Sequence, residues 1–296
     1  MQAPDHSLID TRAVLRARTR AAANEHAFEI ETLAGERLLE RLDGLRLAPD
    51  RILDLGCGRG QGTTALARRF RQALLIAIDP VRELLRQVPR RSGWFRPTIR
   101  RVQATPGRLP LADASIDLVY ANLVADWLLP LPTLIDELRR VMKPGGLMLL
   151  SAFGRDTLIE LRRACEETTG RMPAALFGDV QTLGNALLQA GFLEPVLDTD
   201  WLQTRHPDVD TLWEQLKTAG LGNVACDRSR GLNTARKLEA LRETCHRHSA
   251  DSDGIRVSWE LLYASAWAPP AGVPRRGRFG EEVAIPVDQI GMLHRP

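Results

Sequence analysis

Asp54, Gly56, Cys57, Gly58 and Gly60 fall in one stretch, RILDLGCGRGQG (51–62), where glycines recur at alternate positions behind a short apolar run that carries an acid. Glycine lets a backbone turn sharply and lets a ligand touch main-chain atoms that a Cβ would shield. The stretch therefore reads as strand, loop and helix start around a nucleotide-type ligand. Asp54, ahead of the glycines, is placed to meet a cationic group rather than a phosphate. Asp79 ends the next apolar run, LLIAID (74–79), 19 residues after Gly60. There its two oxygens can accept hydrogen bonds from two ribose hydroxyls. A glycine run alone fits NAD, FAD and other nucleosides, but the Gly-x-Gly-x-Gly spacing differs from the Gly-x-Gly-x-x-Gly of dinucleotide folds.

The elements that must hold these residues alternate along the chain. Strands are expected at 51–55, 74–79, 99–103, 116–120 and 147–152, with helices at 62–70, 81–87 and 131–142 and a turn at 143–146. That rhythm predicts βαβ units and a parallel sheet. Residues 8–47, rich in Ala, Arg, Glu and Leu without proline, read as helix. After residue 153 the rhythm changes to helices at 157–167, 183–190, 208–219 and 233–248, with strands at 194–203 and 257–267. The expected organisation is an N-terminal helical segment (1–47), an α/β core (48–153), a C-terminal part of the same domain with a lid-like helical insertion (154–268), and a loose Pro/Gly/Arg-rich tail (269–296).

With 296 residues, 44% of them hydrophobic and 26% charged, the chain can bury a full core as a soluble globular protein. No apolar run reaches the roughly 18–20 residues of a membrane span, and the N-terminus has no signal-like apolar stretch. A cytoplasmic monomer is expected. Cys57, Cys165, Cys226 and Cys245 form no CxxC pair, so neither a zinc site nor a disulfide framework is expected, and His246 and His248 read as solvated rather than as metal ligands. The net charge is only +3, yet arginines cluster at 68–71, 90–101 and 275–278. Each cluster reads first as a solvated face and second as a docking face for an acidic partner. Few aromatics accompany them, which argues against nucleic acid.

Together DLGCGRG, Asp79, LPLADASIDLVYAN and the VMKPGG turn resemble class I methyltransferases that use S-adenosyl-L-methionine. The resemblance implies a Rossmann-like fold with a seven-stranded, mostly parallel sheet, helices on both faces, and a helical insertion before the last strand. It implies that Asp54, Gly56 and Gly58 face the methionine end of the cofactor and Asp79 the ribose hydroxyls, with Cys57, Gly60, Pro80, Thr105 and Asn122 also binding the cofactor. Thr105 stands where relatives commonly place the Asp that binds the adenine amino group.

ANLVADW (121–127), SAFGRDTLIELR (151–162), FGDVQTLGNALLQAGFLEPVLDTD and VSWELLYASAW further resemble the malonyl-acyl-carrier-protein O-methyltransferases of biotin synthesis, over nearly the whole chain to residue 268. This implies methyl transfer to the free carboxylate of a malonyl thioester on acyl carrier protein, or on coenzyme A. Such an acceptor is already ionised at neutral pH and needs no base. Arg155 and Arg162 are the expected cations for it, with Asn122 and Trp127 shaping the pocket floor. Two departures stand out. The N-terminal Tyr of relatives is absent from TRAAANEHA (19–27), and Asp126 replaces a Gln. They leave open a relative of the complex I assembly factor associated with arginine hydroxylation, or an assembly protein with the fold but no turnover.

Overall fold

A computed structural model describes residues 9–24, 29–90, 98–124, 130–170, 178–221, 235–270, 275–277 and 280–282. Two N-terminal helices, α1 (Thr11–Ala21) and α2 (Glu29–Glu40), precede β1 (Arg51–Leu55), α3 (Gln61–Arg69), β2 (Leu74–Asp79), α4 (Arg82–Leu85), β3 (Ile99–Gln103) and β4 (Ile116–Ala121). Then follow α5 (Leu131–Val141), β5 (Met142–Phe153), α6 (Ile159–Thr169), α7 (Val180–Gln189), β6 (Leu193–His206), α8 (Val209–Thr218) and α9 (Ala235–Ser249). The chain continues through β7 (Ala250–Asp251), β8 (Gly254–Trp267), β9 (Arg275–Gly277) and β10 (Gly280–Glu282).

The main sheet runs β3-β2-β1-β4-β5-β8-β6, and the two-residue β7 pairs with β8 beside it. The first five strands are parallel, and β8 pairs antiparallel with both neighbours. Successive side chains point to opposite faces. Ile52, Leu75, Leu118, Leu149 and Tyr263 enter one apolar cluster, while Leu53, Ile76, Val119, Leu150 and Leu262 enter the other. The first cluster also takes Val14, Leu38, Leu66, Ala164 and Leu212, so both N-terminal helices and α3, α6 and α8 share it. On the opposite face α5 buries Leu134, Ile135, Leu138 and Val141, one stripe of an amphipathic helix.

Several expectations shift. Instead of one helix across 8–47 there are two. The chain leaves α1 at Ala22, whose carbonyl accepts from Arg59 and Gln87, and the Asn24 carbonyl is also taken by Arg59. These side-chain donors replace the amides that would have continued the helix. The 143–146 turn is drawn into the sheet at the start of β5, because Gly145 N–H donates to the Ala268 carbonyl and Ala268 N–H to the Gly146 carbonyl, at 2.9 and 2.8 Å. The last two sheet strands are longer than expected and form a ribbon, with Leu193 through His206 facing Trp267 through Ile255. In the tail, β9 and β10 pair as an antiparallel hairpin beside α7.

Candidate functional site

In an open α/β sheet ligands settle at the carboxyl ends of the strands where the strand order reverses. Here that point lies between β1 and β4. A cavity of about 650 Å³ opens there, within the several-hundred-Å³ range of cofactor sites. β1 lines it with Asp54 and the loop after β1 with Gly56, Cys57, Gly58 and Gly60, β4 and its end with Tyr120 and Asn122, and α2 roofs it with Glu31 and Gly35. Two loop glycines do different work. Gly56, at φ +65°, would drive a Cβ into Val124 Cγ2, so it is required by packing. Gly58, at φ +53°, has nothing within 4 Å of where a Cβ would be, so it leaves a cradle open to a ligand.

Two carboxylates are buried at this point. Asp54 is 2% exposed and accepts from the Thr63 hydroxyl. Burial pushes its carboxyl up to about 7, with the Thr63 bond opposing and neighbouring Asp79 adding to the rise. Asp79, 4% exposed, accepts from Val81 N–H at 2.7 Å and Gly58 N–H at 3.0 Å. Its carboxyl is also held up by burial, against the pull of those amides and of Arg18. Each Asp79 oxygen keeps a second acceptor position. Burial likewise raises the Cys57 thiol. Two buried acids with raised affinity for protons form a site that a cation would satisfy.

The roof is tied to this floor. Asn122 Nδ2 donates to the Glu31 carbonyl at 2.8 Å, its Oδ1 accepts from Ser151 at 2.7 Å, and the Tyr120 hydroxyl donates to the Gly35 carbonyl at 3.0 Å. A Cβ on Gly35 would lie 2.7 Å from that hydroxyl, which accounts for a glycine within a helix. The Arg18 guanidinium from α1 takes both Glu31 oxygens.

Of the residues singled out in the sequence, Asp54, Gly56, Cys57, Gly58, Gly60 and Asn122 converge on the cavity. Asp79 stands behind the glycine loop, bonded to it through Gly58. Pro80 follows it, its carbonyl accepting from Gln103 at 3.0 Å. Thr105, beyond β3, is exposed and lies outside the cavity lining. Arg155 and Arg162 also lie outside it, past the end of β5: Arg155 is half-exposed and 3.8 Å from Asp179, and Arg162 donates to the Arg155 carbonyl. Trp127 and Asp126 lie outside the described residues. Glu31, Gly35, Tyr120 and Arg59 complete the cavity without having been anticipated. A mid-helix glycine, costly unless something approaches closely, was the available signal.

The arginine clusters are partly consumed by the fold. Arg69 pairs with Asp43 at 2.7 Å. Arg101 donates to the Leu85, Arg86 and Val88 carbonyls at the end of α4. His248 binds Glu167 at 2.8 Å. Among the described residues no helix is long and apolar enough to cross a membrane.

These residues fit S-adenosyl-L-methionine. Its ammonium answers the buried Asp54, its ribose hydroxyls answer the open acceptor positions of Asp79, and the cradle at Gly58 admits an amino-acid chain against the backbone. Residues 53–150 match the sequence family described as Methyltransferase domain. The chain is 35% identical to the malonyl-[acyl-carrier protein] O-methyltransferase of Xylella fastidiosa (strain M23), covering 98% of this chain and 99% of the relative. It is 37% identical to the protein of the same name from Methylovorus sp. (strain MP688), covering 91% and 93%. A solved Bacillus halodurans structure of the methyltransferase class shares the fold, with a TM-score of 0.55 at 16% identity over 79% of this chain and 98% of that one. The assembly-factor and non-catalytic readings draw no support from these relatives. The protein is an S-adenosyl-L-methionine-dependent methyltransferase, and the chain belongs to the malonyl-[acyl-carrier protein] O-methyltransferase family.

Proposed function

We propose that the protein methylates the free carboxylate of a malonyl thioester carried by acyl carrier protein, giving the methyl ester that opens biotin synthesis. The observation that carries this reading is the near full-length kinship with proteins of that name. The cavity chemistry supports it. No histidine or lysine lines the cavity among the described residues, and of its lining carboxylates Asp54, Glu31 and Glu36 the first two are engaged by Thr63 and Arg18. A malonyl carboxylate, ionised at neutral pH, asks for no base.

Bound in the cavity, S-adenosyl-L-methionine supplies a methyl group on a positively charged sulfur. The chain's own residues bind and orient it. Asp54 offers a carboxylate to the ammonium, Asp79 keeps acceptor positions for the ribose, and Gly56 to Gly60 shape the loop that the amino-acid chain lies along. Asn122, fixed by Ser151 and the Glu31 carbonyl, holds the floor rigid where acceptor oxygen, methyl carbon and sulfur must align. The roof of α2 covers one side of the cavity and limits the water that reaches the nucleophile. Arg155 and Arg162, beyond β5, act as cations that draw in the anionic acceptor.

The test is label transfer from methyl-labelled S-adenosyl-L-methionine to two carrier thioesters, malonyl and acetyl. Base-labile label is expected on the malonyl form alone. Label on neither carrier, with cofactor still bound, overturns the acceptor assignment.

A further inference from the structure

Glu31 is a carboxylate that α2 carries into the cofactor cavity, and its place there is triangulated from several sides. Its backbone carbonyl sits 2.8 Å from Asn122 Nδ2, at the end of β4. Its side chain is 15% exposed and takes the guanidinium of Arg18, itself 18% exposed. Asp79, the ribose-facing acid, feels the charges of both Arg18 and Glu31. Glu31 thus lies between the ribose end, at Asp79, and the end of β4. The sulfur of the cofactor joins the ribose to the amino-acid chain, so it belongs to the same interval.

Resting on the reading of this cavity as the cofactor site, we propose that Glu31 is the residue that distinguishes the sulfonium cofactor from its neutral thioether product, with Arg18 setting how much of its charge the site feels. The cofactor and the product S-adenosylhomocysteine share adenine, ribose, ammonium and carboxylate. They differ by one methyl group and one positive charge. Asp54 and Asp79 face groups common to both, so neither separates them. A carboxylate beside the sulfur attracts only the charged form, and from a largely buried side chain such as Glu31 that attraction is stronger than in bulk solvent. Transfer of the methyl group removes the charge and with it the attraction, so the spent cofactor is held less firmly. Arg18 partly neutralises Glu31, which predicts opposite effects from changing the two partners.

Isothermal titration of the full chain with S-adenosyl-L-methionine and, separately, with S-adenosylhomocysteine tests this. In Glu31→Gln the preference for the methylated form, as the ratio of the two Kd values relative to wild type, is expected to fall about five- to tenfold, with product affinity changed less than about twofold. In Arg18→Met the same ratio is expected to rise. Retained product binding shows that each variant is folded, and a merely structural role would weaken both ligands together. Equal losses for both ligands in Glu31→Gln, with Gly58→Ala also weakening both, overturn the proposal while leaving the cavity as the cofactor site. Unchanged binding of both ligands in Gly58→Ala overturns the cavity reading and the proposal with it.

Discussion

At one end of the sheet, around β1, β2 and β4, charged groups are buried; at the other, along the β6–β8 ribbon and its helices, they are paired in the open. Asp54 and Asp79 are almost inaccessible and burial holds both carboxyls up. On the ribbon, Asp251 accepts from Arg205 at 2.6 Å and from Asp253 N–H, and Glu167 meets His248 and Arg247 at 2.8 Å. Those carboxyls are held below their ordinary values, Asp251 first by the Asp253 amide and Glu167 first by His248. Acids with solvent and a cation beside them cost the fold little. Acids buried without a matched cation cost it stability, and a fold keeps them where a ligand supplies the missing charge. The contrast supports the proposal that the cofactor binds at the glycine loop.

The contrast can be broken most severely at the loop. Gly56→Ala adds a Cβ into Val124 and forces an alanine to φ +65°, so a stability loss of about 2–4 kcal/mol is expected by denaturant unfolding. Gly58→Ala meets no protein atom and should cost only about 1–2 kcal/mol, yet lower cofactor affinity at least about tenfold, a large share of which is steric.

Asp54 sharpens the comparison through pH. Its carboxyl sits at about 7 in the fold and near 3.8 in the unfolded chain. The native state therefore holds a proton that the unfolded state has released, and its stability falls as pH rises from about 4 through 7. Asp54→Asn should make the cofactor-free protein more stable than wild type at pH 8, on the order of 1–3 kcal/mol, with the gain vanishing near pH 4. Thermal melts across that range check the sign. A melting profile for Asp54→Asn parallel to wild type at every pH would contradict it.

Smaller effects are expected away from the loop. Arg162→Ala should raise KM for the malonyl carrier several-fold while moving kcat less, as fits a steering cation outside the cavity. Arg37, paired with Asp200 in a half-exposed clasp between α2 and β6, should cost under about 1 kcal/mol when changed to alanine.

Much of the sheet was legible in the sequence. The spans 51–55, 74–79 and 99–103 emerge as read; the first two are central strands whose buried positions appear as short apolar runs, while β3, at the sheet edge, buries only Ile99 fully. The loop and its acids were legible for a related reason: alternating glycines after a strand serve few other purposes. The roof was not. Helical composition across 8–47 hid both the break after Ala22, imposed by Arg59 and Gln87 from distant elements, and the entry of Glu31 into the cavity. Nothing local in the sequence records contacts between residues 18 and 31 or 31 and 122. Arg155 and Arg162 stand out by resemblance alone, and they fall outside the cavity lining, Arg155 just past the end of β5 and Arg162 on α6.

If Asp54 at the glycine loop receives the cofactor's ammonium, binding releases protons that calorimetry can count. Titrating S-adenosyl-L-methionine into the protein at pH 7 in two buffers of different ionisation enthalpy measures them. With Asp54 titrating at about 7 in the empty site, roughly half a proton per cofactor should leave as the ammonium pulls that carboxyl down, and none in Asp54→Asn. Binding that releases no proton, or the same number in the variant, would contradict the account.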